Sequence, residues 1–441
     1  MGKPDDFDPR LKSYLHRGAD TPPPAGLEAR IITGRRRRRS GWLLQVAAAA
    51  ALLVLAIGLG IAVQRARQSV GVTPTATPFA SPNINPTPTP SGAPYPLGAP
   101  VNMRMINAST GWAAGSGTNR ILRTADGGSH WDDVTPTGVP PSNWTTFFLD
   151  ATNAWVASSL QPGSGSPDFS VHVYRTTDGG HSWHDAGVIA ADQGWPAAMN
   201  FVDRNHGWLF MNLGFATGSQ GVAFYGTVDG GMTWAKLSEA DTSGTAGHLP
   251  VSCSKFPPVF LNSTTGWLPG ACSAGGGPFF YVTRDGGRTW HNVALASPAG
   301  WGASCMCELT SLRFSDGRSG VFVLTDYSSS AMPESVIYST SDGGSSWRPG
   351  PSLPAQTYEV FFLDKSRGWT LNAKSNGLMA TLDGGQHWST VGLIPTNSNN
   401  GVMGFQFMTP QVGWVLGGDS RGVPILKTVD GGATWTTQLS P

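Results

Sequence analysis

The chain has 441 residues, only 13% of them charged, with 29 Lys or Arg against 28 Asp or Glu, while Gly numbers 58 and Trp 17. That profile describes many short strands and tight turns and argues against a helical fold. The near-neutral total conceals an asymmetry: residues 1–40 carry ten basic and five acidic residues, whereas residues 100–441 carry 17 basic and 23 acidic ones. The C-terminal part therefore lacks the basic face that a nucleic-acid partner requires.

Residues 1–40 contain Pro22-Pro23-Pro24 and no sustained hydrophobic period, which predicts a disordered basic tail. The tail ends in five arginines, Arg35 to Arg39, directly before residues 41–63, an apolar run whose only polar side chain is Gln45. A run of that length suffices for one transmembrane helix, which needs about 20 residues. The five arginines outnumber Arg65 and Arg67 on the far side, so the positive-inside bias places residues 1–40 in the cytoplasm and everything after Gln64 outside. The expectation is an uncleaved signal-anchor in the cell membrane. A cleaved secretory signal fits less well, because the apolar run is too long and no clear small-residue cleavage site follows. Residues 64–99 are rich in Pro and Thr, including Asn85-Pro86-Thr87-Pro88-Thr89-Pro90, and read as an extended extracytoplasmic linker of about 3 Å per residue.

From residue 100 onward one pattern repeats. Asp-Gly-Gly followed three residues later by Trp occurs seven times, at Asp126/Trp131, Asp178/Trp183, Asp229/Trp234, Asp285/Trp290, Asp342/Trp347, Asp383/Trp388 and Asp430/Trp435. Intervals of 41 to 57 residues between successive Asp residues match the length of one four-stranded propeller blade. The first repeat shows the parts in order: an apolar stretch from Val101 to Ile106, Gly111-Trp112, a stretch from Arg120 to Thr124, and the acidic turn. These read as strands A, B, C and D. The Gly-Trp element recurs at Trp208, Trp267, Trp369 and Trp414; the second repeat has Ala154-Trp155, and the fifth has Gly320-Val321-Phe322 instead. The fold class is all-β, a seven-bladed β-propeller over residues 100–441.

In each Thr-x-Asp-Gly-Gly-x-x-Trp turn the carboxylate is placed to accept bonds from its own backbone, and glycine supplies the positive φ of a tight turn. The seven Asp and seven Trp residues are expected to be structural, each Trp packing a blade against its neighbour. One carboxylate per turn, a blade apart, does not make a calcium site, which needs six or more oxygens. No metal or cofactor site is expected.

The turns Arg123-Thr-Ala-Asp-Gly-Gly-Ser-His-Trp131, Arg175-Thr-Thr-Asp-Gly-Gly-His-Ser-Trp183 and Lys427-Thr-Val-Asp-Gly-Gly-Ala-Thr-Trp435 resemble Asp-box (BNR) repeats. Together with the upstream Gly-Trp strand they resemble the photosystem II assembly and stability factor family over residues 100–441. That resemblance implies an extracytoplasmic seven-bladed propeller that performs no catalysis and docks on membrane-protein intermediates. The spanning helix and Pro/Thr linker depart from that family, which has a simple export signal or a lipoprotein Cys at this place. Arg123, Arg175 and Lys427 share one position on strand C in neighbouring blades and are candidates for a basic binding ridge, the alternative being ordinary solvated charge.

Sialidases share Asp boxes, but they clamp a carboxylate with three arginines, one of them in an Arg-Ile-Pro motif, and pair a Tyr with a Glu. The sequence contains no Arg-Ile-Pro, and Tyr358 and Glu359 are adjacent, so strand alternation points them to opposite faces. No catalytic residues are therefore assigned. A glycoside hydrolase using other carboxylates and a structural cell-envelope spacer remain the alternatives to a binding module.

Insertions single out one face. The B–C loops and D–A connections of successive blades emerge on the same side, opposite the Asp boxes, and the longest extra segments lie there: residues 157–170 and 212–221 and the connections into the fourth and fifth blades. Long connections on a rigid scaffold usually carry recognition. A protein or glycan ligand is expected on this face, with Trp195 and Trp301 as contact candidates. Cys253, Cys272, Cys305 and Cys307 fall in the same region, and outside the cytoplasm an even count favours disulfides. Cys305 and Cys307 are expected each to reach back to Cys253 or Cys272; all three pairings stay open, with a four-thiolate zinc site as the other possibility.

Overall fold

Two tied turns per repeat fix where its strands begin and end. The computed structural model describes residues 83–84 and 100–439, apart from 116–119, 140–143, 160–169, 191–193, 273–275, 303–304, 329–332, 354–356, 358, 373–375, 396–401 and 418–423. The chain divides into Met1–Phe79 and Ala80–Pro441, and every described residue belongs to the second body. The basic tail, the expected spanning helix and most of the linker lie outside the described residues. Within those residues the regular structure is entirely β.

Each repeat is a four-stranded antiparallel meander in chain order. In the first it runs Pro100–Met105, Gly111–Gly115, Arg120–Thr124 and Asp132–Asp133. The second and third sheets gain a fifth strand, Asn83–Ile84 against Trp183–His184 and Leu249–Pro250 parallel to Ala240–Asp241. The fourth and fifth meanders merge into one sheet through the pair Ala271 and Glu308. The inner strand of the fourth is split into Ser254–Lys255 and Val259–Phe260, because Pro257 and Pro258 between them have no N–H to give a ladder. The first and last meanders meet through a shared apolar cluster of Met105, Leu122, Trp131, Trp414 and Ile425 and through Gln406, whose side chain bonds both the N–H and the C=O of Met105.

The acidic turn is built the same way seven times. In the first, the Thr124 hydroxyl donates to Asp126 Oδ1 at 3.0 Å and accepts the Gly128 N–H at 2.8 Å, while Asp126 Oδ1 also takes the His130 N–H at 2.9 Å. Gly127 and Gly128 sit at φ of 77° and 98°, which L side chains rarely tolerate. The Gly127 N–H crosses to Ser109 O in the A–B turn at 2.6 Å, and Gly179, Gly230, Gly286, Gly343, Gly384 and Gly431 make the same cross-bond in their own repeats. The A–B turn receiving it is an Asx turn that the sequence reading did not pick out. Asn107, Asp150, Asp203, Asn262, Asp316 and Asp364, with Thr409 in the last repeat, each accept backbone N–H groups two and three residues on. All seven stand four residues before the first residue of strand B.

Between repeats, the strand-B tryptophan lies flat on the last aromatic of the next inner strand. Trp155 stacks on Phe201 at 3.8 Å between centroids, Trp208 on Phe260 at 3.7 Å and Trp369 on Phe407 at 3.9 Å. The glycine before each tryptophan makes room for the inner-strand ring of its own repeat: a methyl on Gly266 would lie 2.5 Å from Phe260, and one on Gly413 would lie 2.6 Å from Phe407. The second repeat carries Ala154 there, and its Phe148 stands off Trp112 at a wider 5.3 Å.

The tryptophans that close the Asp boxes all pack at the junction with the preceding repeat, but not to the same depth. Trp131, Trp183, Trp290 and Trp347 are buried, whereas Trp234, Trp388 and Trp435 are half-buried. The buried ones reach into the preceding repeat: Trp183 Nε1 donates to Val134 O at 2.7 Å and Trp290 Nε1 to Ser238 Oγ at 3.2 Å, while the Trp347 ring stands edge-on to Trp267 at 6.4 Å. Trp234 and Trp388 instead turn their N–H back on their own box, to Gly231 O at 2.8 Å and Gly385 O at 3.1 Å. Held there, they meet the inner-strand Phe201 and Phe362 of their own repeats edge-on, each at 6.2 Å. Trp435 packs against the cluster of Trp369, Leu378 and Phe407.

Two expectations are corrected. Residues 212–221 are not a loop: strands Gly207–Ala216 and Ser219–Thr227 continue through them as one long hairpin, and its tip docks on the next connection through Gly218 O and Cys253 N at 2.9 Å. The cysteines pair as Cys253–Cys272 and Cys305–Cys307, so Cys305 and Cys307 do not reach back. The reason is register. Ser254 pairs with Ala271, which leaves Cys253 and Cys272 facing each other with Cα atoms 4.6 Å apart, and puckering of the chain at Met306 brings the other two Cα atoms to 5.2 Å. Among the described residues no cluster of His, Cys, Asp or Glu is fit to hold a metal.

Removal of one stacked indole tests the junction. Trp208→Ala is expected to cost about 3–5 kcal/mol, the usual loss for a large buried aromatic, read as a lowered denaturant midpoint. Gly207→Ala is expected to cost about 1–3 kcal/mol by driving Phe201 off Trp155.

Candidate functional site

Six of the seven penultimate residues of the inner strands line one central channel: Arg104, Asn200, Val259, Arg313, Phe361 and Gln406; the seventh is Phe147. Strand alternation explains this, since the following residue turns toward strand B and the inter-repeat core while the penultimate one turns inward. The channel encloses about 860 Å³ and is lined by Arg104, Asn200, Arg313, Glu359 and Gln406 among others. Arg104 Nη1 donates to Phe148 O at 2.7 Å, and its guanidinium lies 5.7 Å from the Phe147 ring centroid. Arg313 covers Phe361 at 4.5 Å. Each arginine thus leans across to the neighbouring inner strand.

Enclosure acts on three of the four charged residues described in the lining, Arg104, Arg313 and Glu359. Burial lowers the pKa of Arg313, opposed by the attraction of Glu359; burial lowers that of Arg104 as well, with repulsion from Arg313 adding to it. Burial pushes the Glu359 carboxyl up to about 7, held back by Arg313 and by the Phe405 N–H. Both arginines stay charged at neutral pH. Among the described residues the channel thus carries two arginines against Asp316 and Glu359, and its net charge is positive only while Glu359 holds its proton. Its arginines stand next to the A–B turns, at the end of the channel away from the long loops.

The sequence reading did not select Arg104 and Arg313. The signal available to it was a cation two places before the A–B turn, on the strand that a propeller turns toward its axis. Glu359 was noted only beside Tyr358, which lies outside the described residues.

Arg123, Arg175 and Lys427 do not form an open ridge. Each sits across from the tryptophan of its own repeat, with its charged end 5.7, 5.0 and 5.2 Å from the indole. Arg123 Nη2 donates to Ala151 O at 3.3 Å, Arg175 Nη2 to Asn153 Oδ1 at 3.5 Å and Lys427 Nζ to Gly127 O at 3.0 Å. The first and last of these bonds cross to the neighbouring repeat, and the cation–π contacts add to the junction.

On the loop-rich face, Trp195 opens the inner strand of the third repeat, 6.5 Å from Phe215, an exposed aromatic (64%) near the tip of the long hairpin. Trp301 is half-buried, and its indole N–H donates to Glu334 Oε2 at 3.1 Å. The connection carrying it folds back on the fifth repeat, where Tyr338 Oη donates to Ala296 O at 2.6 Å. Lys255 is a cation the sequence reading passed over. It is buried with its Nζ on the carbonyls of Gln220, Ser252 and Cys253, and burial lowers its pKa to about 8.

An all-β ring of Asp-box meanders around a charged channel defines a β-propeller. Among curated proteins it resembles Ycf48: the photosystem II assembly lipoprotein Ycf48 of Synechococcus sp. (strain CC9902) is 28% identical over 153 residues, 34% of this chain and 40% of that protein. The match thus spans less than half of the relative's length. Ycf48 from Cyanidioschyzon merolae superposes with a TM-score of 0.51 at 18% identity, covering 77% of this chain and 98% of that one. The same architecture is shared with an ulvan lyase of polysaccharide lyase family PL25, at TM-score 0.50 and 12% identity over 80% of this chain and 96% of that one. No protein-family profile matches the chain.

The channel yields a pH prediction. Folded Glu359 keeps a proton between pH 4.5 and about 7 that the unfolded chain has lost, so its contribution to stability falls as pH rises through that window. Thermal scans are expected to show Glu359→Gln more stable than the parent at pH 8 and nearly equal to it at pH 4.5.

Proposed function

We propose that this chain is a membrane-anchored, extracytoplasmic binding module that holds a polypeptide during assembly of a membrane complex and performs no chemistry on it. In this reading residues 1–40 form a cytoplasmic tail, 41–63 a single membrane span, 64–99 a linker, and 100–441 a seven-bladed propeller whose Asp boxes are structural. The likeness to an assembly lipoprotein supports the partner class. The observation that carries the reading is the carboxylate inventory of the channel.

Glu359, with its raised pKa, has the property of a general acid, which keeps a glycoside hydrolase as the second reading. Hydrolysis of that kind needs a second carboxylate for the water or the sugar. The other carboxylate among the channel residues described, Asp316, is committed to the A–B turn, where its Oδ1 takes the N–H groups of Arg318 and Ser319 at 2.6 Å each. Those bonds lower its pKa and keep it a fixed acceptor. What is left is a channel in which two arginines face Glu359 and the committed Asp316 and, on the opposite face, the Trp195 and Phe215 pair, aromatic contacts of the kind enriched at protein interfaces.

A photoreactive amino acid at position 215 of the full-length protein in its native membrane is expected to yield polypeptide adducts, and one at Val228, on the Asp-box face, far fewer. Turnover of a glycoside panel that disappears in Glu359→Gln would establish the hydrolase instead.

A further inference from the structure

Six of the seven junctions between repeats are plugged by a strand-B tryptophan, namely Trp112, Trp155, Trp208, Trp267, Trp369 and Trp414. Five of these have a phenylalanine on the next inner strand, from Phe148 at 5.3 Å to Phe260 at 3.7 Å. In three junctions the indole N–H also donates to the first glycine carbonyl of the next Asp box: Trp155 to Gly230 at 2.8 Å, Trp208 to Gly286 at 2.8 Å and Trp414 to Gly127 at 3.1 Å. In four of them an arginine or lysine covers the outer side of the ring.

The junction between the fifth and sixth repeats lacks both parts. Val321 stands where the tryptophan would be, and Ser339, its cross-strand partner, stands where the cation would be. The receiving half is intact: Phe362 is the last residue of the next inner strand, and Gly384 is the first glycine of the next Asp box. Trp388 meets Phe362 edge-on just as Trp234 meets Phe201, but the ring face that Trp155 covers on Phe201 has no tryptophan upon it here. A cavity of about 360 Å³ opens at this junction, lined by Val321, Ile337, Ser339, Phe362 and Gly384, within the range of small-molecule sites. Arg348 and Lys365 also line it and are exposed. Neither makes an ion pair among the described residues, whereas the nearby carboxylates are engaged, Asp342 by Thr340 and Ser346 and Asp364 by Ser366 and Arg367. Asp342 keeps its negative charge, but Arg313, Arg348 and Lys365 outnumber it and the Arg367-paired Asp364 in the lining, so the net charge there is positive.

We propose that this slot binds an indole-type aromatic ring that carries a carboxylate. The ring takes the place of the missing tryptophan against Phe362, its N–H directed to the Gly384 carbonyl, and the carboxylate meets Arg348 and Lys365. Two sources present that chemistry, a free indole carboxylate and a tryptophan beside an acidic residue in a polypeptide. The slot adjoins the channel, sharing Arg313, Ser315 and Phe362 with its lining, but its other walls, Asp342, Gly384 and Gln386, belong to the Asp-box side; it lies away from the loop-rich face, so its occupancy is read whether or not a partner docks there.

The test is calorimetric titration of the full-length protein in detergent with indole-3-acetate, with indole and with the peptide acetyl-Asp-Trp-Asp-amide. The wild type is expected to bind the two acids more tightly than indole. Val321→Trp, which supplies the plug from within, is expected to raise the melting temperature and weaken binding at least tenfold. Phe362→Leu keeps an apolar side chain and is expected to weaken binding several-fold, and Lys365→Ser to weaken the acids while leaving indole unchanged. Tighter binding of the peptide assigns the source to a polypeptide, and tighter binding of indole-3-acetate to a small molecule. Absence of binding by the wild type, or binding that Val321→Trp and Phe362→Leu both leave intact, would overturn the proposal.

Discussion

The flat contact between a strand-B tryptophan and the inner-strand phenylalanine of the following repeat is the interaction on which this ring depends. Hydrogen bonds close each meander internally, but few ladder bonds pass from one to the next, so cohesion between repeats rests on buried aromatic area and its stacking geometry. Offset or parallel aromatic pairs add about 0.5–1.5 kcal/mol to the burial itself. The requirement reaches back into the sequence: a ring lying across strand B demands glycine before the tryptophan, and Gly266 and Gly413 show how little room there is. The Gly-Trp dipeptide is thus one packing solution written as two residues.

The Asp box works on a shorter range. It joins its own C–D hairpin to its own A–B turn, through the N–H of its first glycine, and ties its carboxylate to neighbours within the turn. For Asp342, Asp383 and Asp430 those bonds hold the carboxyl below the ordinary aspartate range, from Ser346 and Thr340, from His387 and Thr381, and from Thr434 and Thr428. Such a group contributes stability that is present above its unfolded pKa and is lost as acid approaches its folded one. A carboxylate tied into its own turn by three bonds is held in place by the fold, which turns the functional reading to the channel and the loop-rich face.

The repeat frame was legible in the sequence because turns declare themselves locally: the acid, the two glycines and the tryptophan all act within one hairpin. The companion Asx turn was equally legible, four residues before each strand B, and was overlooked because Asn, Asp and Thr alternate in it. What the sequence hid depends on register and on neighbours distant in the chain. Identical spacing does not reveal that Trp290 and Trp347 are buried while Trp234 and Trp388 fold onto their own turns, since that depends on the preceding repeat. Arg104 and Arg313 become channel residues only once alternation is anchored at the strand end, and Cys253 meets Cys272 only because Ser254 pairs with Ala271. Residues 212–221 looked like a loop because they are extra length between strands B and C, yet the two strands carry through them. Val321 was visible as a departure from Gly-Trp, but its effect is a space, and a space exists only against the six filled junctions.

The join between the last and first repeats has a consequence for chain order. Trp414, Lys427 and the Gly127 carbonyl meet there with the same bonds that unite repeats adjacent in sequence, with Met105 substituting for phenylalanine. No junction is privileged by covalent continuity. The toroid is therefore topologically indifferent to where its polypeptide is opened, and a circular permutant cut in another surface connection would present the identical closed surface with its ends relocated.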